Sequence, residues 1–266
     1  MERREERLTA VLRFKRDQLL AAVDRVEPVD GLPEAIAAWT PSLDRVWELN
    51  LLVARGGDDP HAIERAAAEC ERLQSAAGLA HRKLRFAADT PAPLVESVVS
   101  GRGWRVERDL AMVRAPERTA GAGPGPVSEL DPEAHARAED EFLRAEPYGS
   151  DAESRRQLVA QHARWARSAR SARRLGIVED GRVVAWAHVY DDGELVELDS
   201  VGVVPAARGR GLGRALLEGV LALAPPERPV FLLADLVDWP RELYAKLGFE
   251  TVGERVGVTS PPPGEG

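Results

Sequence analysis

Apolar residues along the chain switch between a spacing of three or four and strict alternation, and the switches mark its elements. Leu8, Leu12, Leu19, Val23 and Val26 recur at helical spacing, after which "DRVWELNLLVAR" (44–55) reads as a strand. The pattern then predicts a helix over about 60–78, a strand in "RKLRFAA", a helix over about 91–100 and a strand in "RVERDLAMVR". Residues 116–126, "PERTAGAGPGP", are rich in Pro and Gly and nearly free of apolar side chains, as an exposed linker is. That stretch predicts two units, 1–118 and 127–266, joined by 119–126.

The second unit opens on Asp131 as an expected N-cap with Pro132 at the first helical position, and a further helix is predicted over about 152–170. "RLGIVEDGRVVAWAHVYDDGELVELDSVGVV" then alternates through three strands with turns at Asp180-Gly181 and Asp192-Gly193, an antiparallel meander. "PAARGRGLGRALLEGVL" ends the third strand and starts a helix with Leu212, Leu216, Val220 and Leu223 along one face. A strand in "PVFLLAD", a helix in "WPRELYAKL" and a strand in "FETVGERVGV" complete the order, so the predicted class is α+β, a mixed, mostly antiparallel sheet flanked by helices.

Composition narrows the setting. With 44% apolar residues in 266, the chain can fill a core. It has no run of about 18 apolar residues, and "MERREERL" is too charged to lead into a signal-peptide core. A cytoplasmic protein without a membrane partner is expected. The single cysteine, Cys70, leaves no disulfide framework or cysteine-based zinc site and is expected to be a small packing residue; no metal is expected.

A net charge of −8 argues against nucleic acid as a partner. Its distribution is uneven: residues 1–118 hold 19 basic and 20 acidic side chains (−1), and residues 119–266 hold 17 and 24 (−7). Inside that acidic half, Pro205 to Arg214 carries three arginines and no acid, which points to an anionic ligand held at one spot.

The two halves resemble each other. A shift of about 145 places Phe86 on Phe231, Gly103 on Gly248 and Trp104 on Phe249, a recurring strand–helix–Gly–aromatic–strand unit. The same shift places Ala66, Ala67 and Ala68 on Gly211, Leu212 and Gly213, sets Asp58 and Asp59 just ahead of the arginine loop, and puts Val99 on Tyr244. The first copy lacks the glycines and carries acid where an anion would sit.

In "RGRGLGR", glycines at 209, 211 and 213 allow turn conformations and close backbone approach, so that successive N–H groups can converge on an anion. The following helix adds its positive dipole end and unpaired amides. The loop is neither a P-loop, lacking Lys-Ser/Thr, nor the dinucleotide fingerprint, being GxGxG.

Taken in order, the strand "ELVELDSVGVV", Pro205, "RGRGLG", the leucine helix, a strand and "LYAKLGF" resemble the GCN5-related N-acetyltransferase (GNAT) family over about 127–258. The family's acyl-CoA motif, Arg/Gln-x-x-Gly-x-Gly/Ala, is matched by Arg208, Gly211 and Gly213. The resemblance implies a catalytic GNAT domain at 127–266 and a degenerate GNAT-like half at 1–118. It implies acetyl-CoA as cosubstrate, a loop of Arg208, Gly209, Arg210, Gly211, Leu212, Gly213 and Arg214 holding the CoA pyrophosphate, and a strand backbone at Val201, Gly202 and Val203 pairing with the pantetheine arm.

A primary amine attacking the thioester carbonyl directly needs a base and an acid. Glu197 and Asp199 alternate on one face of the strand ahead of the loop, and either is a candidate base. Glu197 lies six residues before Val203, where the histone-acetylating branch of the family has its glutamate. His188, in the neighbouring strand, is a lesser candidate. Tyr244 stands where the family's general-acid tyrosine commonly stands. The chain departs from many members in having Asp238 and Arg241 where Asn and a small residue are usual. The acceptor is left open between a small molecule and a peptide N-terminus, and oligomeric state is open. Trp39, Trp47, Trp165 and Trp186 are candidate pocket or core residues. A non-catalytic acyl-CoA-binding regulatory module is the alternative to an enzyme.

Overall fold

The computed structural model describes residues 2–87, 89–116, 123–237 and 240–260. The first half comprises α1 (Glu2–Ala22), β1 (Arg25–Pro28), β2 (Ile36–Trp39), β3 (Leu51–Ala54), α2 (Pro60–Ala76), β4 (Arg82–Phe86), α3 (Ala92–Val99) and β5 (Arg105–Arg114). The second comprises β6 (Val127–Glu129), α4 (Pro132–Leu143), α5 (Ala152–Trp165), β7 (Ser171–Glu179), β8 (Arg182–Asp191), β9 (Val196–Val203), α6 (Leu212–Leu223), β10 (Val230–Asp235), α7 (Pro240–Lys246) and β11 (Glu250–Ser260). Residues 119–122 of the expected linker, with Asp238 and Trp239, lie outside the described residues.

Most elements fall where the hydrophobic pattern puts them, for local reasons. Asp131 and Asp151 cap α4 and α5 by accepting amide hydrogens from the first helical turn. The β7–β8 turn uses Asp180 and Gly181 at positive φ, as a two-residue hairpin with the right twist requires. Four segments differ, one of them the edge strand β6 (Val127–Glu129), which the pattern does not predict. Val26 belongs to β1 rather than to the first helix, and the β1–β2 hairpin is an addition to the predicted elements. The α5 helix stops at Trp165, followed by a 3-10 turn over Ala166–Ser168. The expected strand over 44–55 is extended only at Leu51–Ala54 because Asn50 folds what precedes it: its amide donates to the carbonyls of Leu43 (2.8 Å) and Val46 (3.1 Å), while its Oδ1 accepts from the Thr40 amide (2.8 Å).

All eleven strands among the described residues form one sheet, in the order β1-β2-β3-β4-β11-β5-β10-β9-β8-β7-β6. Only β3–β4 and β9–β10 pair in parallel, so the mostly antiparallel α+β arrangement holds. The pairing has an unexpected feature. The last strand of each half sits in the sheet of the other: β11 lies between β4 and β5, and β5 pairs with β10. The axis between β5 and β11 relates β4 to β10, β3 to β9 and α2 to α6, which gives the internal repeat a structural form. Gly103 and Gly248, equated by the sequence shift, both adopt left-handed φ ahead of these strands.

Alternating residues of β8 divide the second half's core. Ala185, Ala187 and Val189 share an apolar cluster with Leu216, Leu217 and Val220 of α6. Trp186, His188 and Tyr190 point to the opposite face, towards α4, α5 and α1. Trp39 and Trp186 are buried, and Trp47 stacks on His81. Cys70 is a buried packing residue whose thiol burial pushes up to about 12.

Candidate active site

The parallel pair β9–β10 is joined at only two positions, Val230 with Val196 and Phe231 with Glu197. Beyond Glu197 the two strands diverge, although β9 runs on to Val203 and β10 to Asp235. A bulge contributes: the register against β8 slips between His188↔Asp199 and Trp186↔Gly202, with Ser200 in the left-handed region at φ 49°. The β9 backbone from Leu198 to Val203 thus has β8 on one side and, among the described residues, no strand on the other. Gly202 serves packing here, since a Cβ would lie 2.4 Å from Cζ2 of Trp186.

At the far end of β9 stands the glycine loop. Gly209 and Gly211 have φ of 76° and 80°, and a Cβ on either would meet nothing within 4 Å. Gly213 lies in the first turn of α6, where an added Cβ would touch only Val203, at 3.8 Å. Gly211 occupies the N-cap of α6 with no side chain capping it, which leaves the first-turn amides facing out of the loop. The equivalent helix of the first half, α2, is closed by its own acid, because the Asp59 carboxylate accepts from the His61 amide at 2.9 Å.

Arg208, Arg210 and Arg214 surround the loop in exposed ion pairs with Glu146 (3.1 Å), Glu179 (2.9 Å) and Glu218 (2.8 Å). Such surface pairs contribute about 0–1 kcal/mol and exchange readily for another anion. The Arg208 Nε also donates to the Val203 carbonyl (3.3 Å), tying loop to strand end.

Glu197 and Asp199 share the β8 face that carries His188 and Tyr190, but their surroundings differ. Glu197 is buried, with both oxygens engaged by α1: Lys15 Nζ lies 2.6 Å from Oε1, and Gln18 Nε2 donates to Oε2 at 2.8 Å. Burial pushes its carboxyl above the ordinary range, Lys15 pulls it down and the Asp199 charge pushes it up again; the net shift is upward. Asp199 is half-buried, with no hydrogen bond or ion pair among the described residues, and lines a cavity of about 560 Å³. Lys15, Trp165, Ser200 and Leu233 line that cavity too, with Glu48, Arg85 and Asp109 from the first half and Arg255 from β11. Trp165 is therefore a pocket residue, with Lys15 Nζ 5.7 Å from its ring centroid.

Tyr244 lies half-buried in α7, its ring edge-on to Phe249 (centroids 6.1 Å apart) and packed against the second half's apolar core. Arg241 is exposed on the same helix. Lys15 and Gln18 are additions to the residues expected from sequence. A signal for them exists: both sit on the helical stripe of Val11, Phe14, Leu19 and Ala22, the side of α1 that becomes buried, where a polar residue requires a partner.

Over residues 136–249 the chain matches the model of the acetyltransferase (GNAT) family. No curated protein matches it. Among solved structures, a functionally unknown conserved protein from Staphylococcus epidermidis ATCC 12228 superposes with a TM-score of 0.68 at 14% identity, over 90% of this chain and 95% of that one. A GCN5-related N-acetyltransferase from Kribbella flavida gives 0.59 at 20% identity, over 95% of each chain. A GCN5-related N-acetyltransferase from Sphaerobacter thermophilus gives 0.55 at 20% identity, over 86% of this chain and 78% of that one. At these identities the likeness is one of fold, and the family match supports acyl transfer as the general chemistry. The splayed strands, the glycine loop and Tyr244 all lie within residues 136–249, the segment that matches the model of the GNAT acetyltransferase family.

Proposed function

We propose that the protein transfers the acetyl group of acetyl-CoA to a primary amine on a small polar molecule, by direct attack of the amine. The observation that carries this is the continuity of three features along β9: the uncapped α6 loop at one end, the unpaired strand edge in the middle, and Asp199 facing a cavity at the other. The residues present fit the cosubstrate. Positive φ at Gly209 and Gly211, with open space where a Cβ would be, suits a backbone cradle for a pyrophosphate, and Arg208, Arg210 and Arg214 supply countercharge. The free edge of Val201 to Val203 suits amide pairing with an extended pantetheine arm.

Acetyl-CoA, when bound, supplies an acyl carbonyl activated as a thioester. Asp199 accepts a proton from the acceptor ammonium, the role for which an unpaired, half-buried carboxylate is suited. Glu197, held by Lys15 and Gln18, fixes β9 against α1 and adds negative potential next to it. Tyr244 returns a proton to the leaving sulfur. The cavity, lined by four carboxylates and four cationic side chains, suits a polar acceptor, and its volume suits a small molecule. The first half acts as the acceptor wall, its own loop being closed by Asp59. The engagement of both Glu197 oxygens favours a second reading, a module that senses acyl-CoA without turnover.

Calorimetric titration of acetyl-CoA tests the cradle. One site per chain, abolished by Arg210→Glu with Gly211→Asp in a folded variant, is expected; undiminished affinity in that variant would sink the assignment. Acetyl transfer to an amine panel separates enzyme from sensor. With an acceptor found, Asp199→Asn and Tyr244→Phe should each lower kcat by about 10²-fold or more while leaving acetyl-CoA affinity unchanged.

A further inference from the structure

On the β8 face, one strand away from Asp199, lies a buried polar cluster that the proposed transfer does not use. His135 and Glu139 are one turn apart on α4, and His188 faces them from β8; all three are at least 94% buried. Each offers a ligand atom, and these atoms lie within 4.8 Å of one another. Three of their polar atoms, His135 Nε2, Glu139 Oε2 and His188 Nε2, have no hydrogen-bond partner among the described residues. One such orphan in a core costs about 1–3 kcal/mol, so three on neighbouring side chains in a well-packed interior require a reason.

The other carboxylate oxygen of Glu139 and the other ring nitrogen of His188 are engaged, while His135 Nδ1 stands 3.9 Å from Glu139 Oε2. His162 Nε2 lies 2.7 Å from Glu139 Oε1, so one carboxylate oxygen is held and the other left bare. His162 Nδ1 lies 3.2 Å, and His188 Nδ1 3.4 Å, from the Tyr190 hydroxyl, an arrangement that puts the His188 proton on Nδ1 and a lone pair on Nε2. The His162 ring stacks on His188 (centroids 3.7 Å apart, 15°), and the Trp186 and His188 rings flank His135. The pattern is that of a metal centre: two imidazoles and a carboxylate with bare lone pairs, oriented by a surrounding layer of hydrogen bonds.

We propose that His135, Glu139 and His188 bind one divalent transition-metal ion, with Zn2+ as the cation of choice for this N/O set, and that His162 and Tyr190 position the ligands. Tetrahedral ligands at about 2.1 Å from zinc stand about 3.4 Å apart, so the side chains close inward by about an ångström on binding. The ion pins α4 to β8, beside the β9 strand that carries Asp199 and on the same face of the sheet. It also gives a partner to a bare atom on each of the three side chains, one of the two His135 ring nitrogens among them. Sequence places His135 and Glu139 at i, i+4 on one helix face, but only the fold adds His188, more than forty residues away.

The test uses the full, untagged chain, stripped with chelator and then dialysed against Zn2+ alone. One equivalent retained by the wild type, a raised melting temperature, and loss of both in Glu139→Gln and in His135→Gln are expected. Absence of zinc retention by the folded wild type, or stoichiometric retention by both variants, overturns the proposal. Should the variants fold poorly, Co2+ in the wild type decides: visible d–d bands without a sulfur charge-transfer band support this ligand set. A thiolate band, which would point to Cys70, or no bands at all, refutes it.

Discussion

Lys15 Nζ and Glu197 Oε1, 182 residues apart in sequence, lie 2.6 Å apart and bind the first helix of the chain to the strand that carries the candidate chemistry. Both side chains are largely out of water, at 18% and 3% exposure, so the pair is one whose disruption leaves a buried charge. Lys15→Met is expected to destabilise the protein by roughly 3 kcal/mol at neutral pH. The sign of the pH dependence follows. Without Lys15, the folded Glu197 pKa rises further above its unfolded value, so the loss is full above that pKa and shrinks as falling pH lets the carboxyl take a proton. Urea unfolding across pH checks this, and Lys15→Met with Glu197→Gln should recover much of the loss.

Gly211 separates two requirements that usually coincide. An Ala at φ 80° meets no neighbour within 4 Å, so its cost to folding is the left-handed conformation alone, about 1–2 kcal/mol. A methyl group there intrudes on whatever the loop holds. Gly211→Ala should therefore melt only slightly earlier yet weaken acetyl-CoA binding by roughly tenfold or more, equivalent to about 1.4 kcal/mol or above. Equal affinity, read by calorimetry, would remove the loop backbone from the contact.

Arg85 concentrates the charge network of the first half, reaching Glu48 (2.5 Å), Glu107 (3.0 Å) and Asp109 (3.5 Å). Burial pushes the carboxyls of Glu48 and Asp109 upward, but the cations around them outweigh it: Arg85 and Lys83 at Glu48, Arg255 and Arg85 at Asp109. Both end below their ordinary values. Their contribution is thus fully present above the unfolded carboxylate range and lost as pH falls through the lower folded values. Arg85→Met should cost about 3–5 kcal/mol near pH 7, and the difference from wild type should narrow in acid. Unfolding at neutral pH and near pH 4 measures it.

Residues 127–266 alone should not behave as an independent unit. Without β5, the edge of β10 loses six paired positions and β11 loses its longest partner. The excised half is expected to aggregate or remain partly unfolded by circular dichroism and gel filtration. A monomeric, cooperatively melting fragment that binds acetyl-CoA would show that the exchanged strand is dispensable.

Local pattern made much of this molecule legible. Period and turn chemistry placed β5 at its full length and α2, α4 and β7 to β9 to within a few residues, and the alternation of Glu197 and Asp199 put both on one face. Pattern fixes which way a strand faces and not which strand lies beside it, so nothing in "FETVGERVGV" announced that it would enter the other half's sheet. The two additions around the site, Lys15 with Gln18 and the histidine cluster, share that cause. Each is a polar residue on a buried face whose partner comes from a distant part of the chain.

The exchange of final strands also bears on how the chain is made. Residues 250–260 are synthesised after every other described element, yet they fill the middle of the sheet, between β4 and β5. A nascent chain lacking them exposes two strand edges at its centre, and the usual order in which an N-terminal unit folds before its successor emerges is unavailable to it. Closure of the first half waits on translation of the second, so an interrupted product carries sticky, unpaired edges of the kind that chaperones and proteases recognise, and only a fully translated chain buries them.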